Sequence, residues 1–129
     1  MKPNDILFSG DRLVIRHSTE KQEHLLRWTG ECDFRNPTDA LGPMLKTLVA
    51  DLKCRRLGMD FRDLSYMNSA AVTPILVFIK SVVTKGCPVH LIYNSEISWQ
   101  RTTASAMRAL MPALKILTVA LRNAGAEPP

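Results

Sequence analysis

Residues 60–72, with the sequence Asp-Phe-Arg-Asp-Leu-Ser-Tyr-Met-Asn-Ser-Ala-Ala-Val, form the stretch that decides the fold of this chain. The apolar run 57–61 predicts the end of a β-strand, and a polar turn follows it. Asn68 and Ser69 then stand directly before an apolar segment at 72–83, which predicts a helix. A hydroxyl at a helix start can cap free backbone N–H groups, and it can also carry a phosphate. Whether Ser69 is a cap or a switch is therefore the first question.

Local rules give this helix two alternative starts. Asn68 can cap a helix that includes Ser69, but Pro74 would then disrupt a backbone bond to the carbonyl of Ala70. Thr73 followed by Pro74 is by itself a favourable cap and first position, which would leave Ser69 in a loop. Either start puts Ser69 near the surface at a strand-to-helix turn.

Around this stretch, the spacing of apolar residues predicts strands that give way to alternating helices and strands. Strands are expected at 6–9, 12–17, 25–30, 56–61 and 88–93. Helices are expected at 43–53, 72–85 and 98–110, the first with an irregular entry because Pro43 would kink an earlier start at Asn36 and Pro37. Residues 116–121 suit a last strand or a helical continuation. The fold class is therefore α/β, with a mixed sheet whose N-terminal part is antiparallel, and with crossover helices that lie on one side.

Length and composition are those of one globular domain. The chain has 129 residues, of which 46% are hydrophobic and 22% charged, which is enough to bury a core. We expect a single domain at residues 1–122 and a flexible tail at 123–129, where Gly and Pro predict fraying. The longest apolar run, residues 74–79, is too short to cross a membrane, and the N-terminus lacks the apolar core of a signal peptide. These features predict a cytoplasmic protein that does not associate with membranes.

The charged residues, cysteines and histidines predict no nucleic-acid or metal site. The net charge of +5 is mild, the basic residues are scattered, and the 6% of aromatic residues do not interleave with them. The three cysteines are widely separated and odd in number, which favours reduced thiols over a disulfide framework. The three histidines have no partner at helical spacing, so a metal site is not expected.

The sequence also lacks the patterns of common catalytic sites. No Gly-x-Ser-x-Gly surrounds any serine, and no glycine-rich phosphate loop is present. The carboxylates form no compelling acid–base pair. We therefore predict that the protein is not an enzyme and that it needs no cofactor.

The element order and the stretch around Ser69 resemble the STAS domain of anti-sigma factor antagonists. In that family an apolar strand ends in Asp, and a loop leads to Asp-Ser-Ser-Gly at a helix start, where the first serine is phosphorylated. Asp60 falls on the strand-end Asp and Ser69 on the phosphorylated serine, whereas Asn68 replaces the motif Asp and Ala70-Ala71 replaces Ser-Gly. The segment Tyr66–Ser69 also resembles SiaC-like regulators of diguanylate cyclases, which carry Leu-Asn-Thr with a phosphorylated threonine.

The resemblance implies a non-catalytic bacterial signalling protein that binds a partner and is controlled by reversible phosphorylation. Its implied partners are a serine/threonine kinase of the anti-sigma type, a PP2C-type phosphatase or a diguanylate cyclase-type enzyme, and a homodimer is left open. One alternative is a constitutive STAS-like scaffold without a switch, which Ala70-Ala71 favours. Another is a sensor of a nucleotide or small ligand.

The implied site surrounds Ser69, with Thr73 as the second candidate for phosphorylation. The partner-binding residues implied by the resemblance are Asp60, Asp63, Tyr66, Met67, Asn68, Ser69 and Ala70. Taken by themselves, carboxylates such as Asp60 and Asp63 most often solvate a loop or cap a helix, and Ala70 and Ala71 suit close packing of the helix on the sheet.

Overall fold

A six-stranded sheet forms the centre of the computed structural model, which describes residues 5–10, 12–53 and 55–120. The strands lie in sequence order and are β1 (Asp5–Gly10), β2 (Leu13–Glu20), β3 (Glu23–Cys32), β4 (Arg56–Met67), β5 (Val89–Asn94) and β6 (Lys115–Val119). The first three pair antiparallel, and β3 to β6 pair parallel. The predicted mixed α/β sheet with an antiparallel N-terminal part is confirmed. The predicted tail, residues 123–129, lies outside the described residues.

Three helices connect the parallel strands: α1 (Pro37–Asp51), α2 (Val72–Thr84) and α3 (Ser98–Leu110). A 3-10 turn, Ser69–Ala71, leads directly into α2. The helices α1 and α2 pack on each other, whereas α3 packs on β4, β5 and β6. No helix within the described ranges is both long and apolar enough to cross a membrane.

Alternate residues of each strand face the helices and form the core. The rings of Trp28 and Phe61 lie 5.3 Å apart, and those of Phe61 and Tyr93 stack at the same distance on neighbouring strands. Buried residues from all three helices belong to this core, among them Leu41, Leu45, Phe78, Ile79, Ala104 and Met107. The helices therefore share a single core with one face of the sheet, as the sequence predicted. The other face presents the intervening side chains, including Arg27 and His90.

The first helix begins earlier than predicted. Asn36 caps it by accepting a hydrogen bond from the Asp39 N–H at 3.3 Å, and Pro37 occupies its first position. Pro43 lies inside α1 without ending it. The capping and the burial of Leu41 outweigh the single backbone bond that Pro43 cannot make.

Another boundary and one cysteine also differ from expectation. β4 continues to Met67 instead of ending near residue 61. The last element, left open between strand and helix, is the strand β6. Cys32 is free and buried, but Cys87 is disulfide-bonded, so the expectation of reduced thiols is wrong at that position.

Candidate functional site

The candidate site lies where β3 and β4 end side by side. Because the two strands are parallel, the loop after Cys32 and the turn after Met67 meet at the same edge of the sheet. The Asn68 N–H donates to the Cys32 carbonyl at 3.0 Å, and its side-chain amide Nδ2 donates to the Phe34 carbonyl at 2.8 Å. Asn68 thus ties the two loops together. It does not cap the helix through its side chain, because its amide points away to residue 34 and no side-chain cap bond is present.

Ser69 is the first residue of the 3-10 turn and is exposed. The Ala71 N–H donates to the Asn68 carbonyl at 3.1 Å, and the Val72 N–H donates to the Ser69 carbonyl. Neither predicted cap begins the helix: a tighter turn from Ser69 leads into α2, whose N-cap is Ala71, and the predicted cap Thr73 lies inside α2. A side chain at position 69 can therefore be reached from solvent, while the turn that carries it is bonded through its backbone.

The remaining predicted residues separate into two environments. Tyr66 is 46% exposed at the end of β4, Met67 is half-buried, and Ala70 and Thr73 are exposed on the turn and on α2. The exposed side chains of this group are therefore interrupted by half-buried Met67 and by buried Ala71, and only Ser69 and Ala70 are exposed next to each other. Asp63 is also exposed, but it lies on β4 opposite Thr29 of β3.

Asp60 lies away from these residues, inside β4 and 1% exposed. The Arg62 guanidinium donates to both of its carboxylate oxygens at 2.9 and 2.7 Å, and Arg27 lies 3.8 Å away. Burial alone would raise the pKa of Asp60, but the hydrogen bonds from Arg62 and the charges of both arginines outweigh burial and lower it. Asp60 is neither at the strand end nor solvating a loop. It holds two arginines against the sheet face opposite the helices.

Gln100 is a residue that sequence reasoning missed. Its side chain is fully buried, its Nε2 donates to the carbonyls of Phe61 and Leu64 at 2.7 and 2.9 Å, and its Oε1 accepts from the Asn94 N–H at 2.7 Å. This side chain joins the start of α3 to β4 and to the end of β5. The sequence could have indicated this residue, because Gln100 lies four residues before the buried Ala104 and is therefore a polar residue on the apolar face of α3.

The neighbouring Trp99 also supports the approach to the site. Its indole Nε1 donates to the Ser65 carbonyl at 3.0 Å, and the Ser65 hydroxyl donates to the Gly30 carbonyl at 2.9 Å. The segment of β4 that leads to Ser69 is therefore bonded to α3 on one side and to β3 on the other. These hydrogen bonds hold in place the end of β4, from which the exposed turn at Ser69 follows.

An apolar groove lies between α1 and α2 and begins beside the turn. It has a volume of about 980 Å³ and is lined by Thr38, Asp39, Gly42, Pro43, Leu45, Lys46, Val49, Ala50, Thr73, Pro74, Val77, Phe78 and Ser81. Val77 is 59% exposed, although it is apolar. We call this feature the α1–α2 groove. The described residues contain no group of three or more side chains of the kinds that bind a metal ion.

The comparisons with known proteins identify the fold. No known family model matches the sequence, and no curated protein matches it with significance. An anti-sigma factor antagonist from Mycobacterium paratuberculosis is 11% identical, with 84% of this chain and 88% of that chain covered and a TM-score of 0.64. The Bacillus cell fate determinant SpoIIAA, in its phosphorylated form, is 13% identical, with coverages of 82% and 91% and a TM-score of 0.62.

A third similar structure is a complex from Pseudomonas aeruginosa. The diguanylate cyclase SiaD is there bound to its activator SiaC, and the match is 18% identical, covers 90% of this chain and 98% of that chain, and has a TM-score of 0.63. The chain therefore has the fold of STAS-domain proteins, and the resemblance expected from the sequence is confirmed at the level of the fold.

Proposed function

We propose that this chain is a non-catalytic signalling protein that binds a partner enzyme through the segment 66–70 and is released when Ser69 is phosphorylated. The observation that carries the proposal is the exposed Ser69 hydroxyl on a turn whose backbone is fixed by hydrogen bonds. A kinase can reach such a group without unfolding its surroundings. A partner that packs on the segment would in turn cover it.

The chemistry of a phosphate explains how such a switch would act. Phosphorylation adds about −1.5 to −2 charges and three acceptor oxygens. Asn68 next to Ser69 is neutral, so it does not repel the phosphate as an aspartate would. The fold is expected to change little, whereas a partner packed on Tyr66 and Ala70 would meet new charge and bulk. A change of about 1.4 kcal/mol alters affinity tenfold, so a modest repulsion is enough.

The similar structures suggest which classes of partner to test. SpoIIAA was solved in a phosphorylated form, and SiaC is the activator of a diguanylate cyclase. We propose a serine/threonine kinase of the anti-sigma type and a PP2C-type phosphatase as the enzymes that add and remove the phosphate. The regulated partner is then that kinase or a diguanylate cyclase-type enzyme, and both classes of partner would place the protein in the cytoplasm.

Phosphate transfer in vitro tests the proposed modification. The purified chain is incubated with candidate kinases of the source genome and Mg-ATP, and the modified residue is located by mass spectrometry. We expect one phosphate on Ser69 that is absent from Ser69→Ala and retained in the matched variant Thr73→Ala. Loss of the phosphate in Thr73→Ala but not in Ser69→Ala would transfer the role to Thr73, the second candidate.

Binding affinity tests the proposed consequence. Ser69→Glu should weaken partner binding by about 1–3 kcal/mol, because it introduces charge into the contact, and Ser69→Ala should bind like the unmodified protein. Isothermal titration calorimetry with the kinase that modifies Ser69, or with a diguanylate cyclase-type enzyme, measures both. Unchanged binding by Ser69→Glu, with no phosphate on the chain, would favour the constitutive scaffold instead. Heat stabilisation by ATP in the absence of any kinase would favour the nucleotide sensor.

A further inference from the structure

We propose that the α1–α2 groove binds an amphipathic helix of the partner enzyme whose flanks carry acidic residues. The inference deepens the proposed function, because it names the partner element that the phosphate on Ser69 would displace. It is carried by the shape of the groove, by the charges on its rim and by its closeness to the Ser69 turn.

The shape of the groove fits a helix. Its lining on α1 runs from Thr38 to Ala50, a length of about 18 Å at 1.5 Å per residue, which corresponds to about three turns of a bound helix. Gly42 lies near the middle and has no side chain to obstruct the approach. On α2 the lining includes Val77 and Phe78, so the contact is apolar on both sides. Two packed helices leave a groove into which the side-chain ridges of a third can insert.

A second copy of this chain fits the groove less well. In a two-fold dimer the same patch must meet itself, so it has to offer a protruding part for every recess. The lining instead surrounds one cavity of about 980 Å³ between α1 and α2. A separate convex element, such as a single helix, matches this shape better.

Charges on the groove favour acidic flanks on that helix. Lys46 is exposed and lines the groove, and the Lys85 ammonium bridges from the end of α2 to the carbonyls of Val49 and Leu52 at the end of α1. Asp39 is the acidic residue of the lining, and its carboxylate already accepts a hydrogen bond from the Asn36 amide at 2.9 Å. The part of the groove remote from the turn is therefore positive, and glutamate or aspartate side chains on the bound helix would complement it.

One end of the groove lies close to the proposed phosphorylation site, although Ser69 itself is not part of the lining. Ala70, Thr73 and Val77 follow one another at spacings of three and four residues, so they lie on one exposed face of the turn and of α2. Ser69 immediately precedes Ala70, at the end of the groove where Thr73 and Pro74 form the lining. A phosphate on Ser69 would thus add negative charge at one end of an acidic helix and repel it.

Peptide binding to the full chain tests the groove without the kinase. Two fluorescent, stapled amphipathic peptides of about 15 residues share one leucine face and differ only in flanks of glutamate or lysine. Fluorescence anisotropy should show at least tenfold tighter binding of the glutamate peptide. Val77→Asp should weaken that binding tenfold or more. Val83→Asp is the matched control, because Val83 is an exposed valine of α2 outside the groove, and it should bind like the unmodified chain.

If Val77→Asp fails to fold, which circular dichroism would reveal, reversing the charge of Lys46 still tests the groove. Lys46→Glu should weaken the glutamate peptide severalfold and strengthen the lysine peptide. Ser69→Glu should also weaken the glutamate peptide severalfold, with the lysine peptide as its control. An effect of Lys46→Glu that has the same sign for both peptides would overturn the proposed charge match.

Three further outcomes would overturn the proposal. These are no binding of either peptide, equal loss in Val77→Asp and Val83→Asp, and self-association in analytical ultracentrifugation that Val77→Asp abolishes. The last result would make a second copy the occupant. Because these titrations need no phosphate transfer, failure of the groove is distinguishable from failure of Ser69 phosphorylation, which mass spectrometry measures separately.

Discussion

Asp60 and Ser69 belong to the same motif-like stretch of sequence, yet their surroundings are opposite. Asp60 is 1% exposed and holds two arginines through its carboxylate, whereas Ser69 is exposed on a turn without a side-chain cap bond. The first position is part of what stabilises the sheet, and the second is part of what the sheet presents to other molecules. One stretch of sequence that resembles a functional signature can therefore contain a buried residue that stabilises the fold, Asp60, and an exposed residue that other proteins can reach, Ser69.

Among the buried positions, substitution of Gln100 should lower the free energy of unfolding most. Gln100 bonds to β4, the strand that also carries Asp60. Gln100→Leu removes three buried hydrogen bonds, two to the carbonyls of Phe61 and Leu64 and one from the Asn94 N–H, and we expect a loss of about 3 kcal/mol in the free energy of unfolding, since each such bond contributes about 1 kcal/mol. Urea unfolding measures this loss. Thr102→Leu, on the exposed side of α3, is the matched polar-to-leucine control, and its effect should stay within about 0.5 kcal/mol.

Substitution of Asp60 should give the second largest loss in the free energy of unfolding. Asp60→Asn removes the charge that both arginines face, and we expect a loss of about 2 kcal/mol in unfolding free energy, less than for a fully enclosed pair because Arg27 and Arg62 keep contact with water. Asp63→Asn makes the same change at an exposed carboxylate of the same strand and should cost less than about 0.5 kcal/mol. Equal losses in the two variants would break the distinction between buried and exposed positions.

A smaller effect should appear in the pH dependence of stability. Burial, and then the charge of His24, lowers the pKa of His17, whose Nε2 lies 2.8 Å from the His24 Nδ1. The unfolded chain then binds protons more readily than the native one. The His17 contribution is complete above its ordinary pKa of 6.5 and is lost as the pH falls from that value towards the lowered pKa of the native state.

We expect urea unfolding to give a lower free energy of unfolding at pH 5.5 than at pH 8. His17→Gln should reduce this difference. His90 has a lowered pKa as well, mainly through burial, so His90→Gln should remove a further part of the difference. The pKa of Asp60 is lowered from 3.8, so the loss of its contribution belongs to a more acidic range. A difference that neither histidine variant reduces would contradict this assignment.

The smallest effect on stability is expected for substitutions of the exposed Ser69. Ser69→Glu and Ser69→Ala should each change the free energy of unfolding by less than about 0.5 kcal/mol, because the side chain faces solvent. Thermal unfolding followed by circular dichroism measures both variants beside Asp60→Asn. A loss at Ser69 as large as that at Asp60 would mean that the hydroxyl supports the fold, and the contrast between the two regions would disappear.

Much of the fold could be predicted from local patterns. The bounds of α3 agree with the predicted helix at 98–110, and α2 follows the apolar segment after Ser69. The start of α1 was placed too late, because Pro43 was given more weight than the capping of Asn36 and the burial of Leu41. The exposed position of Ser69 was predicted as well, since a strand-to-helix turn lies at the surface whichever residue begins the helix.

The surroundings of the site could not be predicted in the same way. Asn68 bonds to residues 32 and 34, and Gln100 bonds to residues 61 and 64, all of them distant in the chain. The α1–α2 groove combines residues of two helices that belong to different crossovers. Nothing in the local sequence of either partner specifies the other.

The alternation of helices and strands, the mixed sheet and the hydroxyl at the turn could all be predicted from the amino-acid order, because they follow from residue spacing and turn chemistry within short segments. The tertiary structure alone decided that β4 continues past Asp60, that this carboxylate is buried between arginines, and that an apolar groove begins beside Ser69. Burial and hydrogen-bond partners depend on which distant strand or helix lies alongside, whereas the crossover helix between β3 and β4 sets only that the two strands run parallel.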